Sequence, residues 1–226
     1  MDSGFAAKPL PPATRGLGLQ NPRRPLLMPT LCFGGSFNPI HNGHLFCAQA
    51  VAEKAGYERV LLIPSAAPPH KPNADLASAE HRLAMCRLAA AEQGGLFEVS
   101  DIETRRSGPS YTIDTAQELR RAGMVRVDWL IGADMLLYLP KWHRPLDLLR
   151  DVHFVVMARP GWPIDWDALP PAFRSLRGHV VEAPLIDIRA TDIRRRVREG
   201  CPIDDVVPGS VARYIEAHKL FTDIAS

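Results

Sequence analysis

Short apolar runs alternate with amphipathic stretches along most of the chain. Continuous apolar runs predict buried strands at residues 31–33, 59–64, 96–99, 127–131 and 152–158, with a shorter one within 179–184. Apolar residues at helical spacing predict helices over residues 43–55, 78–92, 112–122, 191–198 and 208–217. This alternation predicts an α/β fold of the Rossmann-like, doubly wound type, with a mainly parallel sheet and helices on both faces.

Residues 1–29 differ from the rest of the chain. They are rich in Pro, Gly and Ala and show neither alternation nor helical periodicity, which predicts a disordered N-terminal extension. Residues 30–226 are then one domain that ends in a small helical part. A chain of 226 residues is long enough to bury about 70% of its unfolded surface.

Composition narrows the functional classes. The chain has 27 Lys and Arg against 25 Asp and Glu, a net charge of +2, so the overall charge gives no support for a nucleic-acid partner or a membrane surface. Its four cysteines are scattered without metal-ligand spacing, and no apolar run approaches the length of a membrane span. We therefore expect a cytoplasmic protein with reduced thiols. The sequence leaves open whether it forms a homo-oligomer.

The loop after the first strand carries the clearest chemistry. Gly34 and Gly35 permit positive φ angles and close backbone approach, and a helix N-terminus follows a few residues later. Such an arrangement favours an anion. His41 and His44 are three residues apart, with Gly43 between them, so both imidazoles can reach one phosphate. A metal-binding pair is the competing interpretation, but no third ligand lies nearby in sequence.

The motif GGSFNPIHNGHL at residues 34–45 resembles the HxGH signature of nucleotidyltransferases, specifically that of the bacterial nicotinate-nucleotide adenylyltransferases. Further matching motifs follow in the family's order: PSAAPPHK (64–71), SYTIDT (110–115), IGAD (131–134), LPKW (139–142), RPG (159–161) and IRATDIR (188–194). Two departures stand out. Asn38 replaces a common Asp, which we expect to be tolerated, and Arg189 and Ala190 replace two usual serines, so a hydroxyl contact to phosphate is lost unless Arg189 compensates for it.

The resemblance implies a nucleotidyltransferase-type fold and transfer of AMP from ATP to nicotinate mononucleotide, with Mg²⁺ carried by ATP and no protein metal ligand. It assigns catalytic roles to His41, His44 and Arg194. The ATP contacts it implies are Gly34, Gly35, Ser36, Phe37, His41, His44, Gly132, Asp134, Arg159, Thr191 and Arg194, with Thr191 capping the helix that carries Arg194. The implied acceptor contacts are Lys71, Tyr111, Thr112 and Trp142, whose indole offers a face for the pyridine ring.

Several alternatives remain at this point. Nicotinamide mononucleotide differs from the nicotinate acceptor only in an amide, so the enzyme could use either or both. Phosphopantetheine adenylyltransferases usually have Thr in place of the first His, which disfavours them here. The chain is short for a class I tRNA ligase and lacks a KMSKS-like loop. A non-catalytic nucleotide-binding module is the alternative from another functional class, and retention of both histidines disfavours it.

Overall fold

The computed structural model describes residues 28–68, 75–158, 161 and 163–222. The predicted extension at residues 1–29 lies outside this part of the chain except for Met28 and Pro29. The disorder of that extension, and the division of the chain into 1–29 and 30–226, therefore stay predictions.

The described residues contain six strands, and these belong to one parallel sheet. They are β1 (Thr30–Gly35), β2 (Arg59–Pro64), β3 (Phe97–Val99), β4 (Asp128–Gly132), β5 (His153–Ala158) and β6 (Val180–Glu182). Their order across the sheet is β3-β2-β1-β4-β5-β6, and every neighbouring pair is parallel. The predicted doubly wound sheet is therefore confirmed. Strand β1 continues two residues beyond the predicted end, because Gly34 and Gly35 pair with Ile63 and Pro64 of β2.

Helices connect the strands. They are α1 (Asn42–Ala55), α2 (Ala79–Glu92), α3 (Thr112–Arg121), α4 (Ala133–Leu136), α5 (Pro145–Asp151), α6 (Ala190–Arg198) and α7 (Gly209–Ala217). The five predicted helices agree with α1, α2, α3, α6 and α7 to within one residue at each end. The short helices α4 and α5 and the 3-10 segments at Leu139–Lys141 and Pro171–His179 were not predicted, because segments this short span too few turns to show periodicity.

Two hydrophobic clusters lie on opposite faces of the sheet. Along β1, Leu31 and Phe33 belong to one cluster, while Cys32 between them belongs to the other. Leu62 and Leu61 of β2 divide in the same way, as expected when successive side chains of a strand point to opposite faces. Both faces are thus covered, so the open positions for a ligand are the strand ends. In the part of the chain that the structure describes, no helix has the length and apolar character needed to cross a bilayer.

Candidate active site

The structure contains a cavity at the point of the sheet where the strand order reverses. Strands β1 and β4 are neighbours in the sheet, but their connections run in opposite directions across it, and this is the switch point at which doubly wound proteins bind ligands. The cavity has a volume of about 410 Å³, within the range of small-molecule sites. Its lining includes Gly34, Gly35, Ser36, Phe37, Asn38, His44, Glu103, Tyr111, Thr112, Gly132, Asp134 and Trp142.

Close packing explains why residue 34, at the start of the loop, is glycine. A Cβ atom on Gly34 would overlap the ring of Trp129 in β4, so only glycine allows β1 and β4 to approach at the switch point. Neither Gly34 nor Gly35 uses the positive φ angle that glycine permits. It occurs instead at Phe37, whose φ is 44° and whose ring is buried against Phe33 and His44. This packing holds Phe37 in a conformation that is unfavourable for a residue with a side chain.

His41 and His44 form a reciprocal cap at the start of α1. His41 is the N-cap residue, and its Nδ1 accepts a hydrogen bond from the His44 backbone N–H at 3.3 Å. The Nδ1 of His44 accepts in turn from the His41 backbone N–H, also at 3.3 Å. This is the capping-box arrangement with imidazoles in place of the usual side chains. The rings stack with centroids 3.6 Å apart.

The cap fixes the tautomer of both rings. A neutral imidazole that accepts at Nδ1 carries its hydrogen on Nε2, so each ring has its Nε2–H donor directed away from the helix backbone. Gly43 makes room for this arrangement, because a Cβ there would lie 3.1 Å from Nδ1 of His41. His44 lines the cavity directly, whereas His41 is 6% exposed and packs behind it.

The burial of His41 should make stability depend on pH. Burial lowers the pKa of His41 to about 4 from an ordinary value of 6.5. Between these values the unfolded chain binds the extra proton, so this residue's stabilising contribution is present above pH 6.5 and is lost as pH falls toward 4. The largest loss is about 3 kcal/mol. Urea unfolding of the wild type and of His41→Asn, which keeps a good N-cap, measures the effect at each pH.

The comparison of the two proteins isolates the histidine. Carboxylates elsewhere in the chain also titrate in this range, but they do so in both proteins. We therefore expect the difference in unfolding free energy between wild type and His41→Asn to change between pH 7 and pH 4.5. A difference that is constant over that range would show that His41 is not held neutral by the fold.

Arg194 reaches the loop that follows β1 from α6. Its Nη1 donates to the backbone carbonyl of Asn38 at 2.9 Å, and its Nη2 lies 3.9 Å from the carboxylate of Asp75. Arg194 does not itself line the cavity. Its Nε is buried and has no hydrogen-bond partner among the described residues.

The prediction that Thr191 caps α6 is wrong. Helix α6 begins at Ala190, its N-cap is Arg189, and no side chain provides a capping hydrogen bond. Thr191 is exposed at the second helical position. Ala190 lines the cavity, so the helix start still faces the site. The first backbone N–H groups of a helix have no acceptor within it, and here they are available to an anion.

The two departures from the family motifs have different surroundings. The side-chain amide of Asn38 donates to the Asp75 carbonyl at 2.7 Å, and its oxygen accepts from the Ala77 N–H at 3.0 Å. A carboxylate could accept but could not donate, so the amide fits this environment. Arg189 is exposed and lies 3.4 Å from the carboxylate of Asp187.

Residues at the end of β4 and directly after it also line the cavity. Gly132 is the N-cap of α4, and a Cβ at this position would overlap the carboxylate of Asp134. Asp134 is exposed and lines the cavity. Because the N-cap position belongs to Gly132, capping does not explain Asp134, and its carboxylate is placed to accept hydrogen bonds from a ligand.

Aromatic side chains surround the remaining part of the cavity. Trp142 is partly buried, packs edge-on against Phe154 with ring centroids 6.5 Å apart, and lines the cavity. The Tyr111 ring stacks on His143 at 4.2 Å. Tyr111 is also the N-cap residue of α3, which begins at Thr112. The two aromatic residues and this helix start therefore border the same cavity.

Sequence reasoning missed two buried charged residues near the cavity. Glu103 is buried, its Oε1 accepts from the Thr115 hydroxyl at 2.7 Å, and burial raises its pKa. Arg82 is fully buried on α2. The available signal for Arg82 was a charged residue among the apolar positions of an Ala-rich helix. Lys71 and Arg159, which were predicted to contact ligands, lie outside the described residues.

Comparison with known proteins places this geometry in a family. Residues 32–196 match the cytidylyltransferase-like family model. A Roseiflexus sp. (strain RS-1) protein named "Probable nicotinate-nucleotide adenylyltransferase" is 45% identical over 190 residues, which is 83% of this chain and 95% of the relative. A protein of the same name from Yersinia pestis (strain Pestoides F) is 41% identical over 207 residues, covering 84% and 93%.

Solved structures agree on the fold. Nicotinic acid mononucleotide adenylyltransferase of Plasmodium falciparum, complexed with NaAD, superposes with a TM-score of 0.66 at 16% identity, over 87% of this chain and 99% of that one. A second structure of that enzyme, complexed with APC, gives a TM-score of 0.65. The matched motifs, the switch-point cavity and these similarities agree, and the chain belongs to the nicotinate-nucleotide adenylyltransferase family of cytidylyltransferase-like proteins.

Proposed function

We propose that this protein transfers AMP from ATP to nicotinate mononucleotide, producing nicotinate adenine dinucleotide and pyrophosphate. The observation that carries the proposal is that one cavity is lined by two kinds of residue, which we assign to two half-sites. One half consists of the glycine loop and His44, and the other contains Trp142 and Tyr111. The names of the curated relatives supply the acceptor.

The chemistry needs no general base. The acceptor phosphate loses its second proton near pKa 6, so it is already a nucleophile at neutral pH. In-line attack at the α-phosphate forms the new phosphoanhydride bond and releases pyrophosphate, without a covalent enzyme intermediate. The protein must align two anions and stabilise the charge that develops in the transition state. Hydrogen-bond donors placed in advance are suited to this task.

His44 and His41 have separate roles in this proposal. His44 lines the cavity and donates its Nε2–H to the α-phosphate. His41 holds His44 in place through the reciprocal cap and the ring stack. The low pKa of His41, about 4, keeps its ring neutral, so its Nδ1 remains an acceptor for the cap. The backbone of Gly34, Gly35, Ser36 and Phe37 surrounds the phosphates.

Arg194 and the start of α6 serve the β- and γ-phosphates. The Arg194 guanidinium contacts the backbone of the phosphate loop at Asn38, so a small rotation brings its donors to the bound triphosphate. The backbone N–H groups of Ala190 and Thr191 extend this anion site. Asp134, together with the close approach at Gly132, accepts hydrogen bonds from the ribose or adenine of ATP.

Mg²⁺ enters with ATP in this scheme. Among the described residues no three His, Cys, Asp or Glu side chains form a cluster suited to hold a metal. The scheme needs no protein ligand for the ion, because Mg²⁺ is commonly bound mainly by phosphate oxygens and water. The ion supplies charge neutralisation on the triphosphate. The protein's own contribution is to bind and orient that triphosphate.

Pyrophosphate release tests the function. The purified protein is incubated with Mg-ATP and with nicotinate mononucleotide, nicotinamide mononucleotide or phosphopantetheine in parallel. We expect release mainly with the nicotinate acceptor. Equal rates with both pyridine nucleotides would mean dual specificity. ATP binding without release with any acceptor would contradict the proposal and favour a binding module.

A further inference from the structure

Arg82 joins three separate segments of the backbone. It is fully buried on α2, and its guanidinium donates to four carbonyl oxygens. These belong to Ser36 at 2.8 Å, Ser65 at 2.6 Å, Ala66 at 3.0 Å and Ala77 at 2.9 Å. Burying a charged group is costly unless it is well hydrogen-bonded. The four hydrogen bonds offset that cost and tie α2 to the loops that carry the acceptor carbonyls.

One of these contacts orients the phosphate loop. The carbonyl and N–H of a trans peptide unit point in opposite directions. Because Arg82 holds the Ser36 carbonyl on its own side, the Phe37 N–H of the same peptide unit points to the other side. Ser36 and Phe37 both line the cavity. Arg82 thereby sets the direction of a backbone donor in the ATP half of the site.

Two other contacts orient the loop after β2. Arg82 holds the carbonyls of Ser65 and Ala66, so the N–H groups of the following residues turn away from it. Those two groups, on Ala66 and Ala67, donate to the Ser110 hydroxyl at 3.0 and 3.3 Å. Ser110 directly precedes Tyr111 and Thr112, which line the cavity. The contacts of Arg82 thus continue into the acceptor half.

We propose that Arg82 is a positioning residue. It fixes the loop after β1, which holds the ATP phosphates, relative to the loop after β2, which supports the acceptor half through Ser110. The acceptor phosphate then meets the α-phosphate of ATP in line. This proposal rests on the adenylyl transfer proposed above. It requires a guanidinium, because one rigid planar group must reach carbonyls in several directions. The ammonium group of a lysine donates from a single point and does not reproduce that geometry.

The test compares Arg82→Lys with a matched control. Arg59 is also fully buried, but it lies at the opposite, amino end of β2, where it contacts Thr30 at 2.9 Å and Glu98 at 3.4 Å. For each variant we would measure kcat, the KM of both substrates, the Kd of ATP by calorimetry, and thermal unfolding.

We expect Arg82→Lys to lower kcat/KM about 100-fold, since small misplacements of reacting groups cost that much, and to weaken ATP binding. Arg59→Lys should lower the unfolding temperature while leaving the kinetic constants within about twofold of wild type, because ordinary structural defects do not misalign the substrates. Wild-type kinetics in Arg82→Lys, or an equal kinetic loss in both variants, would overturn the proposal.

A second variant keeps the test decisive if Arg82→Lys does not fold. Ser110→Ala removes the hydroxyl that accepts from the two N–H groups oriented by Arg82, together with the hydrogen bond of that hydroxyl to Glu103. We expect a higher KM for the acceptor with an unchanged Kd for ATP, and an unchanged acceptor KM would contradict the proposal. If the wild type releases no pyrophosphate, the proposed function fails. The Arg82 proposal is then judged by ATP affinity alone, which should fall in Arg82→Lys and not in Arg59→Lys.

Discussion

Replacement of His44 by alanine is expected to lower kcat by about 10²- to 10³-fold, the cost of removing one preorganised donor to transition-state charge. His44 is the member of the histidine pair that lines the cavity, and its hydrogen-bonded Nδ1 leaves the donor on Nε2. Binding of ATP in the ground state should weaken much less than turnover. Single-turnover rates and the Kd of ATP, measured on the same preparation, check both expectations.

The cap requires a control, because His44→Ala also removes the acceptor of the His41 N–H. His44→Gln provides that control, since Gln at the third helical position can restore this hydrogen bond. We expect His44→Gln to recover thermal stability but not turnover. Recovery of turnover together with stability would mean that His44 acts through the helix start. Near-wild-type turnover in His44→Ala would contradict its proposed catalytic role.

Replacement of Trp142 by alanine should act on the acceptor. Stacking of a ring on an aromatic side chain contributes about 1–3 kcal/mol, so we expect the KM of nicotinate mononucleotide to rise about 5- to 150-fold. The KM of ATP should change little, because the glycine loop and His44 remain. Initial rates over a matrix of both substrate concentrations separate the two constants.

Trp166 gives the matched control for this change. It is also partly buried, packs against the Arg177 guanidinium at 5.5 Å, and is not among the residues that line the cavity. Trp166→Ala should therefore reduce stability without raising the KM of the acceptor. Equal effects of the two substitutions on that KM would contradict a stacking role for Trp142.

Local patterns determined much of the fold. Short apolar runs predicted the six strands found in the described part of the chain, because strands covered on both faces of a parallel sheet need mostly apolar residues. The longer helices were predicted from their periodicity, but α5 spans only seven residues, from Pro145 to Asp151, and gave no clear signal. The motif spacing also predicted which loops carry Gly34, His44, Asp134, Tyr111 and Trp142, and the structure places these residues around one cavity.

Interactions between distant residues were decided only by the tertiary structure. Gly34 is required by the Trp129 ring, 95 positions later in the chain, and not by a positive φ angle. The sequence suggested two adjacent imidazoles, but their reciprocal cap depends on backbone geometry at the start of α1. Arg82 shows the same limit most clearly. Its acceptors are backbone carbonyls, and because every residue has one, only the folded chain determines which of them it binds.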